Sequence, residues 1–185
     1  MMNEEIVIAG FGGQGVLSMG MILCYSGIIE DKEVSWMPSY GPEMRGGTAN
    51  CIAIISDSKI SSPIIATFDT VIALNQPSVD KFEKAVKPGG LLIYERTNVI
   101  NPPTREDIDI VGIPGSAEAA KMKNTKIMNM IMLGAFLKKK PIIKFENIIE
   151  GLKNVLPERY HHLLPLNEDA LNRGMDLVEQ VAQEV

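Results

Sequence analysis

Three glycines near the start of the chain, Gly10, Gly12 and Gly15, have the Gly-x-Gly-x-x-Gly spacing of a dinucleotide-binding turn. They follow a short apolar run and precede a longer apolar segment, so the expected order is strand, turn and helix. In that order, the free N–H groups and partial positive charge at the start of the helix can hold a phosphate. Gly13 and Gln14 complete this candidate phosphate-binding turn. Alternatively, the glycines only let the helix pack closely on the strand.

A dinucleotide site also needs an acid that binds the ribose hydroxyls, about 20 residues further on at the end of the second strand. The second strand is predicted at residues 34–37 and stops at Pro38, with no acid after it. Glu30, Asp31 and Glu33 precede this strand and therefore lie at the wrong end of it. A stand-alone dinucleotide-binding oxidoreductase that uses the three glycines is kept as the alternative function.

The segment "PSYGPEMRGGTANC", residues 38–51, places two opposite charges, Glu43 and Arg45, between a Gly-Pro pair and a Gly-Gly pair. Such pairs favour sharp turns, and the segment follows a strand end, where open parallel sheets bind their ligands. The planar guanidinium of Arg45 suits a carboxylate or phosphate. The simpler alternative is a Glu43–Arg45 ion pair that stiffens a surface loop.

Other polar residues give weaker indications. Asn75 and Gln76 follow the fourth predicted strand, where they would line a crevice or else cap the next helix. Cys24 and Cys51 are too few for an iron–sulfur cluster or a structural zinc, and we expect both to pack in the core. No Ser-His-acid or Cys-His arrangement is evident from the spacing. We therefore predict no catalytic residue and no metal site on this chain.

Short apolar runs alternate with helical segments, which is typical of βαβ units. We predict a single α/β domain over residues 1–185, with an open, mostly parallel sheet, Rossmann-like units, helices on both faces and a helical C-terminal layer. The last helix is predicted to begin at an N-cap, Asn167. The strands are predicted at residues 6–9, 34–37, 50–55, 70–74, 91–94 and 108–113, and the first helices at residues 14–29, 77–86 and 125–137.

Composition excludes several classes of protein. The 18 basic and 23 acidic side chains give a net charge of −5, which argues against a general nucleic-acid surface. The triplet at residues 138–140 is interpreted as a solvated helix end. No apolar stretch reaches the roughly 18 residues that cross a bilayer. Glu4 and Glu5 stand where a signal peptide would be positive, so we expect a cytoplasmic protein without membrane partners.

Two motifs together resemble the gamma subunit of 2-oxoacid:ferredoxin oxidoreductases: "GFGGQGV" at residues 10–16 and "SYGPEMRGGT" at residues 39–48. Weaker matches continue in the same order as far as about residue 137. Members of this family use pyruvate, 2-oxoglutarate, ketoisovalerate and other branched-chain 2-oxoacids, or indolepyruvate. The resemblance implies a subunit that is not active alone. The complex decarboxylates a 2-oxoacid, transfers the acyl group to coenzyme A and reduces ferredoxin.

The resemblance also implies which groups other chains supply. Thiamine diphosphate with Mg²⁺ and the iron–sulfur clusters belong to alpha and beta subunits, with or without a delta subunit, while the isolated chain is expected to bind no cofactor and could form a homo-oligomer. The glycine turn is then a candidate site for a phosphate of coenzyme A. An active-site and interface loop is expected at Ser39, Tyr40, Gly41, Pro42, Glu43, Arg45, Gly46, Gly47 and Thr48.

Overall fold

The structure, a computed structural model, describes residues 1–40 and 48–183. Within them, six strands with two interspersed helices are followed by helices alone. The elements are β1 (Asn3–Phe11), α1 (Val16–Ile29), β2 (Glu33–Tyr40), β3 (Thr48–Ser56), β4 (Phe68–Ala73), α2 (Gln76–Phe82), β5 (Val86–Glu95), β6 (Asp109–Ile113), α3 (Gly115–Lys121), α4 (Met128–Lys139), α5 (Phe145–Val155) and α6 (Leu164–Gln183). Short 3-10 turns occupy Glu83–Ala85, Thr125–Ile127 and Glu158–Leu163.

The strands form one sheet in the order β2-β3-β1-β4-β5-β6. β3 runs antiparallel to both of its neighbours, whereas β1, β4, β5 and β6 pair in parallel. β2 therefore points the same way as β1. The five co-directional strands end together at what we call the carboxyl end of the sheet and start at its amino end. The predicted α/β fold with a mostly parallel sheet is confirmed.

The two faces of the sheet are covered unequally. One face packs against α1, α3, α4, α5 and α6, and this larger core includes Ile8, Leu23 and Phe136. On the other face, α2 is the one helix among the described residues, with a smaller cluster around Val71 and Leu92. Helix α4 is buried nearly all round, as its apolar sequence predicts. The larger face therefore supplies most of the burial that stabilises the fold.

Helices α4 and α6 approach each other through two glycines. A Cβ atom at Gly134 would overlap the backbone carbonyl of Leu171, and one at Gly174 would overlap that of Ile131. The two helices are therefore in direct backbone contact, which only residues without a side chain permit.

Several predicted boundaries were wrong. β2 continues through Pro38 to Tyr40, and Pro38 is opposite Cys51 in β3. Because β2 is at the margin of the sheet, the missing N–H of proline can face away from any partner strand. Helix α6 begins at Leu164, before the predicted N-cap, and Asn167 instead donates through Nδ2 to the carbonyl of Leu163 at 2.8 Å.

Two further features differ from expectation. Helix α3 was not predicted, because its seven residues carry too few apolar positions for a helical period. The lysine triplet is not simply solvated. Lys138 pairs with Glu179, Lys139 with Asp109, and Lys140 with Glu4.

Candidate functional site

A cleft of about 430 Å³ opens at the carboxyl end of the sheet, beside the ends of β1, β4 and β5. The structure brings three of the predicted site residues together there, namely Gln14, Asn75 and Gln76. Sequence reasoning missed the other residues that line it, Phe11, Pro77 and Asn98. All six of these described residues are uncharged, so they offer hydrogen bonds and apolar contact rather than an ion-pair partner.

Two of the turn glycines are explained by close packing. A Cβ at Gly10 would lie 2.7 Å from Oε1 of Gln14 and 3.1 Å from Cβ of Leu74. Gly15 has φ +78°, and a Cβ there would overlap the side-chain amide of Asn129 on α4. The packing alternative therefore accounts for the first and the last glycine of the motif.

Gly13 is different, because it has φ +95° and nothing within 4 Å of the position of a Cβ atom. Its left-handed backbone favours glycine, yet the space beside it is open. The turn leads directly into α1, whose N-cap residue, Gly15, has no side chain to bond the first amides of the helix. This side of the turn thus combines open space with the positive end of a helix dipole.

Gln14 holds the turn in shape. Its Oε1 accepts the N–H of Phe11 at 2.6 Å, and its Nε2 donates to the carbonyl of Leu74 at 3.4 Å. The side chain thus links the end of β1 to the residue after β4. Because these bonds occupy its amide, Gln14 acts as a brace for the turn.

The oxygen and the nitrogen of the Asn75 side-chain amide have different surroundings. Its Oδ1 accepts the N–H of Ser78 at 2.9 Å and caps α2, as one of the two sequence alternatives predicts. Asn75 also lines the cleft, as the other predicts, and is only 3% exposed. Among the described residues, Nδ2 of Asn75 and Nε1 of Trp36 are the buried side-chain polar atoms without a hydrogen-bond partner. Leaving such a donor unpaired costs about 1–3 kcal/mol.

Gln76 is engaged with the connection between β5 and β6. Its Oε1 accepts the N–H groups of Ile100 at 3.0 Å and Asn101 at 2.9 Å. Its Nε2 donates to Asp80 and to the carbonyl of Asn101. Gln76 therefore shapes the rim of the cleft, whereas Asn75 lines the cleft and has a buried donor without a partner.

Glu95 is a functional candidate that the sequence analysis overlooked. It ends β5, is fully buried, and accepts N–H groups from Thr97 at 3.3 Å, Asn98 at 2.8 Å and Ser116 at 2.9 Å. These bonds fix the backbone that carries the cleft residue Asn98. A charged residue directly after four apolar strand positions is the signal that could have identified it.

The topology weakens the dinucleotide alternative. Strand β3 lies between β1 and β2, so the end of β2 is two strands from the glycine turn, about 10 Å away. In a dinucleotide-binding fold the two strands are neighbours, so an acid at the end of the second strand reaches the ribose beside the turn. Here an acid at the end of β2 would lie too far from the turn to do so. The Gly-x-Gly-x-x-Gly spacing therefore occurs here in a strand order that differs from that of a dinucleotide-binding fold.

The loop after β2 was also predicted to contribute. Ser39 and Tyr40 end β2 and Thr48 begins β3, so these residues lie at the carboxyl end of the sheet. Six members of the predicted loop lie outside the described residues: Gly41, Pro42, Glu43, Arg45, Gly46 and Gly47. Their predicted roles stay predictions.

The remaining candidates have structural surroundings. Burial raises the pKa of the Cys24 and Cys51 thiols to about 12, so both stay protonated at neutral pH. His161 contacts the carbonyls of Lys153 and Leu156 through Nε2. In the described ranges, His, Cys, Asp and Glu side chains form no group of three or more that could hold a metal ion. No helix of residues 1–40 and 48–183 has the length and apolarity to cross a membrane.

Comparison with known sequences identifies the relationship. A family profile described as "Pyruvate ferredoxin/flavodoxin oxidoreductase" matches residues 5–177. The chain belongs to this family. The ketoisovalerate oxidoreductase subunit VorA of Methanothermobacter thermautotrophicus is 41% identical over 133 residues, which are 72% of this chain and 28% of VorA. The chain thus spans less than a third of the length of this relative.

Solved structures agree with the family assignment. The gamma subunit of a keto/oxoacid ferredoxin oxidoreductase from Geobacter sulfurreducens has a TM-score of 0.80 at 25% identity, covering 96% of this chain and 99% of that one. A 2-oxoglutarate:ferredoxin oxidoreductase from Magnetococcus marinus, with 2-oxoglutarate, coenzyme A and succinyl-CoA bound, has a TM-score of 0.87 at 25% identity. There the match covers 97% of this chain and 32% of the other. The resemblance to gamma subunits is confirmed.

Proposed function

We propose that this chain is a gamma-type subunit of a 2-oxoacid:ferredoxin oxidoreductase, one domain over residues 1–185 that works only with companion polypeptides. The complex oxidatively decarboxylates a 2-oxoacid to an acyl-CoA and reduces ferredoxin. The observation that carries the proposal is the cleft of neutral amides at the carboxyl end of the sheet. These groups can bind and orient a ligand, but none of them titrates near neutral pH to move a proton.

We further propose that alpha and beta subunits, with or without a delta subunit, bind thiamine diphosphate with Mg²⁺ and the iron–sulfur clusters. Bound thiamine diphosphate supplies the decarboxylation chemistry, and the clusters supply the electron path to ferredoxin. This chain supplies a shaped surface beside them. The buried free thiols of Cys24 and Cys51 are compatible with a reducing cytoplasm, which is our proposed location.

Coenzyme A is the ligand we propose for the cleft. Its phosphate and amide oxygens are acceptors, and Asn75, one of the residues that line the cleft, has a buried Nδ2 donor without a partner. The open space at Gly13 allows a ligand to approach the turn. Packing explains Gly10 and Gly15, but it explains neither this space nor the unpaired donor of Asn75.

The loop at residues 39–48 is proposed to lie against the thiamine-binding polypeptides. Ser39 and Thr48 place both ends of the loop at the carboxyl end of the sheet, the same end as the cleft. Arg45 and Glu43 are its proposed polar anchors, because a guanidinium and a carboxylate can bond across a subunit interface.

One reconstitution assay tests both parts of the proposal. Asn75→Ser keeps a side-chain oxygen that can cap α2 but removes the Nδ2 donor, so the KM for coenzyme A should rise about tenfold. Arg45→Ala should weaken assembly with the thiamine-binding polypeptide. The KM and the assembly constant are measured on the reconstituted complex.

Asn124→Ser is the matched control, because Asn124 also caps a helical turn, through the N–H of Lys126, but does not line the cleft. It should leave the KM for coenzyme A unchanged. An equal KM for coenzyme A in the Asn75→Ser and wild-type complexes would contradict the proposal that coenzyme A binds in the cleft. Failure of the wild-type chain to assemble at all would overturn the proposed function itself.

A further inference from the structure

The connection between β5 and β6, residues 96–108, is much longer than the usual loop of about 4–6 residues and contains no described helix or strand. Its backbone is nevertheless held tightly. Three side chains, Glu95, Gln76 and Glu83, each accept the N–H groups of two successive residues in the connection. The accepted pairs are Thr97 and Asn98, Ile100 and Asn101, and Thr104 and Arg105.

These three attachments come from different parts of the fold. Glu95 ends β5, Gln76 begins α2, and Glu83 lies in the 3-10 turn after α2. Arg105 adds two further bonds, from its guanidinium to the carbonyls of Glu83 and Val86. Inside the connection, Val99 is buried in the smaller core. We call residues 96–105 the clamped loop.

Ile100 is exposed despite this order. It is 87% exposed, although the loop is fixed on both sides of it and its neighbour Val99 is 7% exposed. A loop held in one shape before binding has already lost conformational entropy, so a partner that covers it gains affinity at little further cost. The clamped loop therefore displays one apolar side chain in a fixed position.

The amino-acid composition of the middle of the clamped loop is typical of the centre of a protein–protein interface. Residues 97–104, "TNVINPPT", contain no charged side chain, and interface centres are depleted in charges. Composition alone does not single out this loop, since residues 60–67, "ISSPIIAT", are also uncharged. That second segment contains Ile64, which is 77% exposed and held by Ser62 only two residues away. It lies between the end of β3 and the start of β4, at the amino end of the sheet.

Resting on the proposed function, we infer that the clamped loop is a second docking surface for the thiamine diphosphate-binding polypeptide, in addition to residues 39–48, with Ile100 inserted into an apolar pocket of that partner. Gln76 both lines the cleft and binds the N–H of Ile100, so a partner that covers the cleft also meets Ile100. In VorA and in the Magnetococcus enzyme, the segment that matches this chain is less than a third of a longer polypeptide, which places such a partner next to it along one chain.

The test is the affinity of the full chain for the purified thiamine diphosphate-binding polypeptide of its complex, measured by biolayer interferometry. Burial of one isoleucine side chain is equivalent to about 10- to 100-fold in affinity, so Ile100→Asp should weaken binding at least that much. Ile100→Ala should weaken it less. Ile64→Asp is the matched control and should change the affinity by less than about threefold.

Both positions are exposed, so thermal unfolding should show all variants folded. This inference is overturned if Ile100→Asp binds as tightly as the wild type, or if Ile64→Asp weakens binding as much as Ile100→Asp does. Either result would leave the proposed function intact. Absence of binding by the wild-type chain would instead overturn the proposed function.

Discussion

At the amino end of the sheet, polar side chains pair with opposite charges, whereas at the carboxyl end they are mostly amides and carboxylates that bond the backbone. Lys87 contacts Glu5 at 2.6 Å and Asp69 at 2.8 Å, and Asp69 also accepts the N–H of Glu5. At the other end, Asn75 keeps a buried donor without a partner. The strands have similar apolar interiors, so the difference lies in the residues at either end of each strand.

The polar groups at the two ends of the sheet therefore differ in whether they contribute to stability or to binding. Charge pairs and closed hydrogen bonds contribute to the folded state by themselves, while an unpaired buried donor costs free energy until an acceptor arrives. Natural proteins retain such costs where a ligand or partner removes them. The carboxyl end is therefore where substitutions should alter binding, and the amino end is where they should alter stability alone.

The largest effect on stability is expected at Glu95, which tests whether the carboxyl end is also structurally fixed. Glu95→Ala leaves three N–H groups unpaired and should lower the free energy of unfolding by about 3–5 kcal/mol. Glu95→Gln places an amide donor against at least one of those groups and should cost about 2 kcal/mol. Urea denaturation measures both.

Glu4 at the amino end provides the comparison for Glu95. It is 5% exposed, accepts the hydroxyl of Thr70 at 2.5 Å and lies 3.4 Å from Nζ of Lys140. Glu4→Gln keeps an acceptor for Thr70, so we expect a loss of only about 1 kcal/mol. Equal losses for Glu4→Gln and Glu95→Gln would remove the distinction between the two ends.

Two glycines, one at each end of the sheet, give a closer comparison of the two ends, and their replacement should have effects of intermediate size. Gly13 at the carboxyl end and Gly89 near the amino end both have positive φ and nothing within 4 Å of a Cβ position. Replacing either by alanine should cost about 1–2 kcal/mol in stability, because each forces an L side chain into the left-handed region. Only Gly13→Ala should also raise the KM for coenzyme A of the reconstituted complex. If Gly89→Ala raised that KM as much, the effect would be a loss of stability rather than of binding.

The smallest effect concerns the pH dependence of the Lys87 pairs. Burial opposes the charge on Lys87, but hydrogen bonds to Asp69 and Glu5 outweigh it and raise its pKa above the ordinary 10.5. A raised pKa means that these pairs stabilise the fold below pH 10.5, and that the contribution disappears as the pH rises through the folded-state pKa.

Lys87→Met should therefore lower the free energy of unfolding by less than about 1 kcal/mol at pH 7, since partly exposed pairs contribute little. The difference from wild type should shrink towards strongly alkaline pH. Urea denaturation across that range measures it, and a difference that grew with pH would contradict the assignment.

Sequence patterns predicted the parallel strands well because each is a short apolar run. They missed the ends of β2, where Pro38 is tolerated only because the strand lies at the margin of the sheet. They also placed the start of α6 too late, because Asn167 is an equally good residue for a cap and for a bond to a preceding carbonyl.

The candidate site was predictable only where its residues follow strands. Gln14 lies three residues after the end of β1, and Asn75 and Gln76 lie two and three residues after the end of β4, so strand polarity places them together. Glu95 and Asn98 depend on bonds between a strand end and a long connection, and the exposed position of Ile100 depends on the same connection. No local pattern specifies such a connection, because its shape is fixed by acceptors as far away in sequence as Gln76.

The backbone contact between α4 and α6 has a consequence for movement. Where Gly134 meets the carbonyl of Leu171 and Gly174 meets that of Ile131, neither helix can slide along the other without atomic overlap. The pair must translate and rotate as a single rigid body. A rearrangement that accompanies ligand entry should therefore leave the relative position of α4 and α6 unchanged.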